Sequence, residues 1–106
     1  GLIFALKTEK NYKYYIVINI IFFLLDLFVF KIDKSGWFAF IFTSAAVYGM
    51  ECINTSIEHI SDFISEEVHH EIKVVKDMGA AGVLCFGIAF FAVQIIECIN
   101  YLGVAL

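Results

Sequence analysis

Four polar residues, Glu51, Asn54, Glu58 and Asp62, recur at helical spacing in the middle of the chain. At about 100° per residue they fall in one stripe roughly 80° wide on a helix. We call these four residues the polar stripe. Carboxylates on one face can hold a divalent cation, and a carboxylate can also accept the proton of a reacting hydroxyl group. The polar stripe therefore predicts a site rather than a random set of polar residues.

A second set of polar residues is expected at the same level as the polar stripe. Lys76 and Asp77 precede the last apolar segment, and Glu9 lies in the N-terminal stretch. A lysine neutralises phosphate charge, while Mg²⁺ binds through one or two carboxylates plus substrate phosphates. These residue types together indicate phosphoryl transfer. The alternative for Lys76 is a side chain that only extends to lipid headgroups. The absence of a GxxxxGK[ST] loop excludes a P-loop enzyme.

The elements that must position these residues are membrane helices. Of the 106 residues, 61% are hydrophobic, compared with roughly 45–50% in soluble domains. A soluble domain of this size could not bury so much apolar surface. The chain has no proline to interrupt long helices. A net charge of −4, with no arginine, argues against nucleic acid as a partner.

The pattern predicts an all-α membrane protein that forms a single domain, residues 1–106. Short loops between helices are typical of an antiparallel bundle. A polar turn, KIDKSG, follows the first span, and a polar loop, 65–77, precedes the last one. The predicted elements are an amphipathic surface helix at 1–13 and membrane helices at 14–30, 37–58 and 78–100.

The distribution of lysines predicts the orientation of these helices. The N-terminal stretch and the 65–77 loop contain five lysines, and the KIDKSG turn contains two. The positive-inside rule then places the N terminus and the 65–77 loop in the cytoplasm. The abundance of Ile, Lys, Phe and Asn is typical of an AT-rich bacterial genome, so we expect a multi-pass protein of the bacterial inner (plasma) membrane.

The depth of the polar stripe has two interpretations. In one, residues 51–62 are the solvated face of a helix that has left the membrane. In the other, they lie at the membrane edge and face the interior of the bundle. The apolar stretch Trp37–Met50 has only 14 residues, whereas about 20 are needed to cross the hydrocarbon core. Glu51 and Asn54 are therefore expected at membrane depth, where carboxylates tend to face a cavity.

The motif E-x-x-N-T-S-I-E-x-x-x-D at 51–62, followed by K-D-M-G at 76–79 and the small residues at 80–82, resembles the prokaryotic diacylglycerol kinase family. That family includes the undecaprenol kinases of Gram-positive bacteria. The resemblance covers nearly the whole chain. It implies a homotrimer with active sites shared between neighbouring subunits at the cytoplasmic side of the lipid bilayer. It also implies phosphorylation of a membrane lipid alcohol by ATP, with diacylglycerol and undecaprenol both open as substrates.

The resemblance further implies roles for individual residues. Glu51 matches the general base that deprotonates the lipid hydroxyl. Glu58 and Glu9 match the pair that holds the Mg²⁺ bound to ATP, and Asn54 matches an amide that orients the site. The residues implied to contact the nucleotide or its metal are Glu9, Asn54, Glu58, Asp62, Glu67, His69, Lys76 and Asp77.

Members of this family carry additional N-terminal sequence that includes an arginine near the nucleotide. This chain departs from that pattern in having neither. We assign no role to His59, His70 or Glu71. A rival hypothesis is a divalent-cation-binding or transport subunit without kinase activity. Another is a structural subunit in which the polar stripe is a contact between helices. The cation site would draw on Glu58, Glu66, Glu67, His69, His70 and Glu71.

Overall fold

The computed structural model describes residues 1–8, 10–64 and 70–104, and every secondary-structure element in these ranges is helical. The prediction of an all-α protein is confirmed. A π-helical segment extends the second helix up to the first turn. The elements are α1 (Leu2–Thr8), α2 (Lys10–Leu24), the π-helical segment (Leu25–Phe30), α3 (Lys34–Ile64) and α4 (His70–Tyr101).

Three stretches are long and apolar enough to cross a membrane: Asn11–Phe30, Lys34–Ile64 and His70–Tyr101. At 1.5 Å per residue, α3 and α4 are each about 46–48 Å long, which exceeds the roughly 30 Å of the hydrocarbon core. Both helices therefore extend past the hydrocarbon. We call the end of the bundle with α1 and the α3–α4 connection the near end, and the end with the turn at 31–33 the far end.

The beginning of α4 differs from the prediction. Residues 70–77 are helical, although the polar composition of 65–77 predicted a loop. Ile72 and Val75 lie three residues apart on one face of α4 and line the same apolar pocket as Ile57 of α3. Packing of these side chains stabilises the first turns of α4 despite their charged neighbours, since tertiary contacts outweigh local polarity in helix formation.

Two other boundaries are shifted. The predicted surface helix 1–13 is divided, because α1 ends at Thr8 while residues 10–13 belong to α2. At the far end the turn is shorter than KIDKSG. The Asp33 side chain caps α3 by accepting a 2.9 Å hydrogen bond from the Gly36 N–H group, which is the usual role of Asp before a helix. Lys31 adopts a left-handed conformation, φ 50°, that ends the π-helical segment.

Helices α3 and α4 form an antiparallel hairpin whose register is visible at three levels. At the far end the Glu97 carboxylate lies against Gly36. In the middle the rings of Phe40 and Phe90 are in contact, with centroids 5.9 Å apart. Towards the near end Asn54 lies against Gly79.

Helix α2 packs across this hairpin through polar and aromatic side chains. Tyr12 is fully buried, stacks on Tyr48 and donates a 2.7 Å hydrogen bond to the Tyr48 carbonyl oxygen. Asn19 donates to the Ser44 hydroxyl at 2.9 Å. Most large apolar side chains point outwards, which suits helices surrounded by lipid, where burial of apolar groups drives no association.

Candidate active site

Three members of the polar stripe line one groove between α2, α3 and α4. Glu51 and Asn54 are 4% and 7% exposed, and Glu58 is partly exposed. For Glu51 and Asn54, this burial contradicts the interpretation of residues 51–62 as the solvated face of a helix. The groove has a volume of about 450 Å³ and its wall is completed by Asn11, Tyr15, Val47, Ala80, Val83, Leu84 and Gly87.

Two side chains of α2 hold the Glu51 carboxylate. Asn11 Nδ2 donates to Glu51 Oε1, and the Tyr15 hydroxyl donates to Glu51 Oε2, each at 3.4 Å. The two carboxylate oxygens are therefore oriented separately, by donors one helical turn apart. Both bonds are long, so Glu51 keeps capacity to accept a further hydrogen bond from a substrate hydroxyl.

Asn54 is fixed between its own helix and α4. Its Nδ2 donates to Glu58 Oε1 at 3.4 Å. Its Oδ1 is buried without a hydrogen-bond partner. That oxygen lies against Gly79, and a Cβ at residue 79 would approach it to 2.5 Å. The glycine of the K-D-M-G sequence therefore makes room for the asparagine amide.

Asp62, the last residue of the polar stripe, lies outside this groove. Its Oδ1 forms a 2.6 Å ion pair with the ammonium group of Lys76 on α4. The side chains of Lys76 and Asp62 are 36% and 65% exposed, and Asp77 is exposed beside them. The structure brings Lys76 and Asp62 together at the near end. It places them about 16 Å along α3 from Glu51, at 1.5 Å per residue.

The remaining residues of the sequence-based prediction, Glu9, Glu67 and His69, lie outside the described residues. Within the described ranges, no three His, Cys, Asp or Glu side chains are close enough together to hold a metal ion. Mg²⁺ commonly binds through one or two carboxylates and completes its shell with water and substrate phosphates. The partly exposed Glu58 fits a metal ion that arrives with a nucleotide, rather than a cage made by the protein alone.

A second, smaller cavity of about 80 Å³ adjoins the groove. Tyr15, Val47 and Gly87, one residue from each of the three candidate membrane spans, line both. Most of the wall of the smaller cavity is apolar and includes Phe90 and Phe91, and Asn19 and Ser44 also line it. We call this smaller cavity the apolar channel.

We compared the sequence with models of protein families. The model of the family described as prokaryotic diacylglycerol kinase matches residues 1–98. The chain belongs to this family. The resemblance predicted from the polar stripe and K-D-M-G is thereby confirmed.

Within the prokaryotic diacylglycerol kinase family, the chain is similar to undecaprenol kinase of Bacillus subtilis (strain 168). The two are 27% identical over 86 residues, which is 77% of this chain. The chain spans 66% of the length of that relative. No solved structure matches the sequence.

The structure adds two site residues that the sequence analysis of this family member missed. Asn11 belongs to the predicted surface helix and Tyr15 to the first predicted span, but both lie in α2, where a separation of four residues places them on one face. The sequence shows this spacing, but it does not show that Glu51 accepts the two hydrogen bonds. That contact depends on the rotation of α2, which is set by packing against α3.

Proposed function

We propose that this protein is a lipid kinase that transfers the γ-phosphoryl group of ATP to the hydroxyl group of a membrane lipid alcohol. The observation that supports this proposal most directly is the buried Glu51 carboxylate. It lies in a groove that adjoins the apolar channel, in a member of a kinase family. A base at this position meets a hydroxyl group that arrives through the bilayer.

In the proposed reaction, Glu51 accepts the proton of the lipid hydroxyl group as its oxygen attacks the γ-phosphorus. The new phosphorus–oxygen bond forms while the bond to the bridging oxygen of ADP breaks, and the products are lipid phosphate and ADP. Asn11 and Tyr15 orient the Glu51 carboxylate through their hydrogen bonds. Catalysis of phosphoryl transfer consists mainly of such positioning and of charge neutralisation.

We assign the nucleotide to the near end, beside the polar stripe. Glu58, together with Glu9, would hold Mg²⁺, and a bound Mg²⁺ would supply charge neutralisation for the ATP phosphates. Lys76 would leave Asp62 and pair with phosphate oxygens, since an exposed ion pair is worth little and exchanges readily. Asn54 would orient Glu58 through its 3.4 Å hydrogen bond, and Asp77, Glu67 and His69 complete the proposed contacts.

For the lipid, we favour a polyprenol over diacylglycerol. Most of the wall of the apolar channel is apolar, as a hydrocarbon chain requires, although Asn19 and Ser44 also line it. The Bacillus subtilis relative is named undecaprenol kinase, and undecaprenol is an alcohol of the same class.

We place the protein in the bacterial inner membrane with its near end in the cytoplasm, where ATP is available. The five lysines on that side, against two on the other, favour this orientation. We also propose a homotrimer. The outward apolar faces of all three spans leave ample surface for contacts between subunits, and the groove is open along one side, where a neighbouring subunit would close it.

The direct experiment measures transfer of labelled γ-phosphate from MgATP to undecaprenol and, in parallel, to diacylglycerol, in mixed micelles of the purified protein. Glu51→Gln removes the proposed base, and Glu71→Gln is the matched control at an exposed position of α4. We expect transfer to undecaprenol that is lost in Glu51→Gln and kept in Glu71→Gln.

Transfer to diacylglycerol alone would contradict the assignment of the lipid but not of the kinase. A folded protein that neither transfers phosphate nor binds nucleotide would overturn the kinase proposal and favour a cation-binding subunit.

A further inference from the structure

The far end of the bundle contains a buried polar pair that the proposed phosphoryl transfer does not use. Asp26 of the π-helical segment is fully buried, and Gln94 of α4 is 3% exposed. Neither carboxylate oxygen of Asp26 has a hydrogen-bond partner, and neither polar atom of the Gln94 side chain has one. Ring contacts on either side set the register that brings Asp26 to the level of Gln94. Phe22 packs on Phe90 with ring centroids 5.6 Å apart, and Phe30 packs on Tyr101 with ring centroids 5.4 Å apart.

Within the described residues no lysine forms an ion pair with Asp26, and Lys31 donates its backbone N–H group to the Asp26 carbonyl oxygen. Glu97, one turn beyond Gln94 on α4, is acidic as well, and its carboxylate lies against Gly36 at the same end of the bundle. Within the described residues the only ion pair is Lys76–Asp62, at the opposite end of the bundle.

Aromatic rings pack one helical turn before the two polar residues. Phe22 and Phe90 precede Asp26 and Gln94 by four residues each, and Phe22 and Phe40 both contact Phe90, with ring centroids 5.6 and 5.9 Å apart. Asp26 lies four residues, or about 6 Å, before the end of the first span. An ionised carboxylate at such a depth, without a partner, is among the costliest groups in a protein interior.

We propose that Asp26 and Gln94 form a proton-binding site, in which the carboxyl group binds one proton and pairs with the amide. A carboxylate and an amide are poorly matched, because the amide oxygen then faces only acceptors. A neutral carboxylic acid presents one donor and one acceptor, and a primary amide presents the complementary pair. One proton therefore satisfies both side chains, with the acid donating to Gln94 Oε1 and accepting from Gln94 Nε2.

The site is distinct from the kinase groove. Asp26 precedes the far-end turn, whereas Glu51 is 17 residues into α3 from Lys34, which corresponds to about 26 Å along the helix. The bound proton would hold α2 and α4 together where few other polar contacts join them. Its loss would place a bare negative charge beside Glu97 and among the three rings.

The direct test is infrared spectroscopy of the full-length protein in detergent, in D₂O near neutral pH. A protonated carboxyl group has a carbonyl stretch that ionised carboxylates lack. The wild-type-minus-Asp26→Asn difference spectrum is expected to contain one such band. Gln94→Leu is expected to shift this band to higher frequency, because the acid loses its acceptor. No such band in the wild-type protein would overturn the proposal.

A second measurement follows unfolding with pH, using the fluorescence of the single tryptophan, Trp37, whose ring contacts Phe40. Because the folded state binds one more proton than the unfolded state, stability falls as pH rises. The wild-type unfolding constant is expected to increase relative to Asp26→Asn by up to tenfold per pH unit above neutrality. Asp26→Asn is expected to remove this dependence and to fold, because an amide pairs with Gln94 equally well.

Glu71→Gln, an exposed carboxylate at the near end, is expected to keep the wild-type pH dependence. Stability that responds to replacement of Na⁺ by choline, and not to pH, would overturn the proton assignment in favour of an alkali cation. Parallel pH curves for the wild type and Asp26→Asn would also contradict it.

Discussion

The Oδ1 atom of Asn54 occupies the space that a side chain at residue 79 would need. A Cβ added to Gly79 would lie 2.5 Å from that oxygen, well inside any normal contact. This relationship joins the polar stripe of α3 to the K-D-M-G sequence of α4 through two residues that are 25 positions apart in the chain.

Gly79→Ala is expected to displace the Asn54 amide and to lower both stability and phosphoryl transfer. Overpacking of a tight contact typically costs about 1–3 kcal/mol of the free energy of unfolding. Gly49→Ala is the matched control on α3, because a Cβ there meets nothing within 4 Å. A Gly-to-Ala change in a helix interior is expected to stabilise by about 1 kcal/mol. Unfolding in SDS mixed micelles measures the free energy of unfolding of both variants.

The close contact itself can be tested by a double substitution. Asn54→Ala removes the amide that collides with the new methyl group. In that background, Gly79→Ala is expected to lose most of its effect on the free energy of unfolding. Equal costs of Gly79→Ala in the two backgrounds would show that the two residues are not coupled.

Tyr15→Phe is expected to lower kcat about tenfold to a hundredfold, since a hydrogen bond to a charged group contributes about 1.5–3 kcal/mol. The KM for ATP is expected to stay unchanged, because Tyr15 contacts Glu51 and lines the apolar channel rather than the near end. Tyr14→Phe is the control, as Tyr14 is its exposed neighbour, 66% accessible. Equal kinetics for the two variants would remove Tyr15 from the site.

Lys76→Met is expected to abolish phosphoryl transfer while changing the free energy of unfolding by less than about 1 kcal/mol, the usual limit for an exposed ion pair. The side chains of Lys76 and Asp62 are 36% and 65% exposed, so their pairing adds little to stability. Lys73→Met, at an exposed position on the same helix, is expected to retain activity. A large loss of stability with normal transfer would assign Lys76 to the fold instead of to the nucleotide.

Gly87→Leu is expected to block the apolar channel. Gly87 lines both the groove and the apolar channel, and it has open space beside it. The value of kcat/KM for undecaprenol is expected to fall by about tenfold or more, equivalent to at least 1.4 kcal/mol. The KM for ATP is expected to be unchanged, and a short-chain prenol is expected to remain a substrate. Gly49→Leu, outside the channel, is the control, and equal losses for long and short alcohols would contradict the channel.

The sequence by itself determined the features that depend on local pattern. Three long apolar segments can only be membrane helices in a chain this small, because no other arrangement satisfies their backbone in lipid. The inward face of Glu51 and Asn54 also followed from the sequence, since helical periodicity is a property of one segment, and the burial of both side chains agrees with it. Likewise, the polar stripe and K-D-M-G were enough to reveal the family.

The tertiary structure decided which side chains from different helices meet. The rotation of α2 brings Asn11 and Tyr15 to Glu51, and the register of α3 on α4 brings Lys76 to Asp62. The helical start of α4 also depended on packing, because local polarity predicted a loop there. The packing of the first span on α4 brings Asp26 to the level of Gln94, which is 68 positions later in the chain. Helix periodicity assigns each side chain to a face, but only the packing of one helix against another determines what that face contacts.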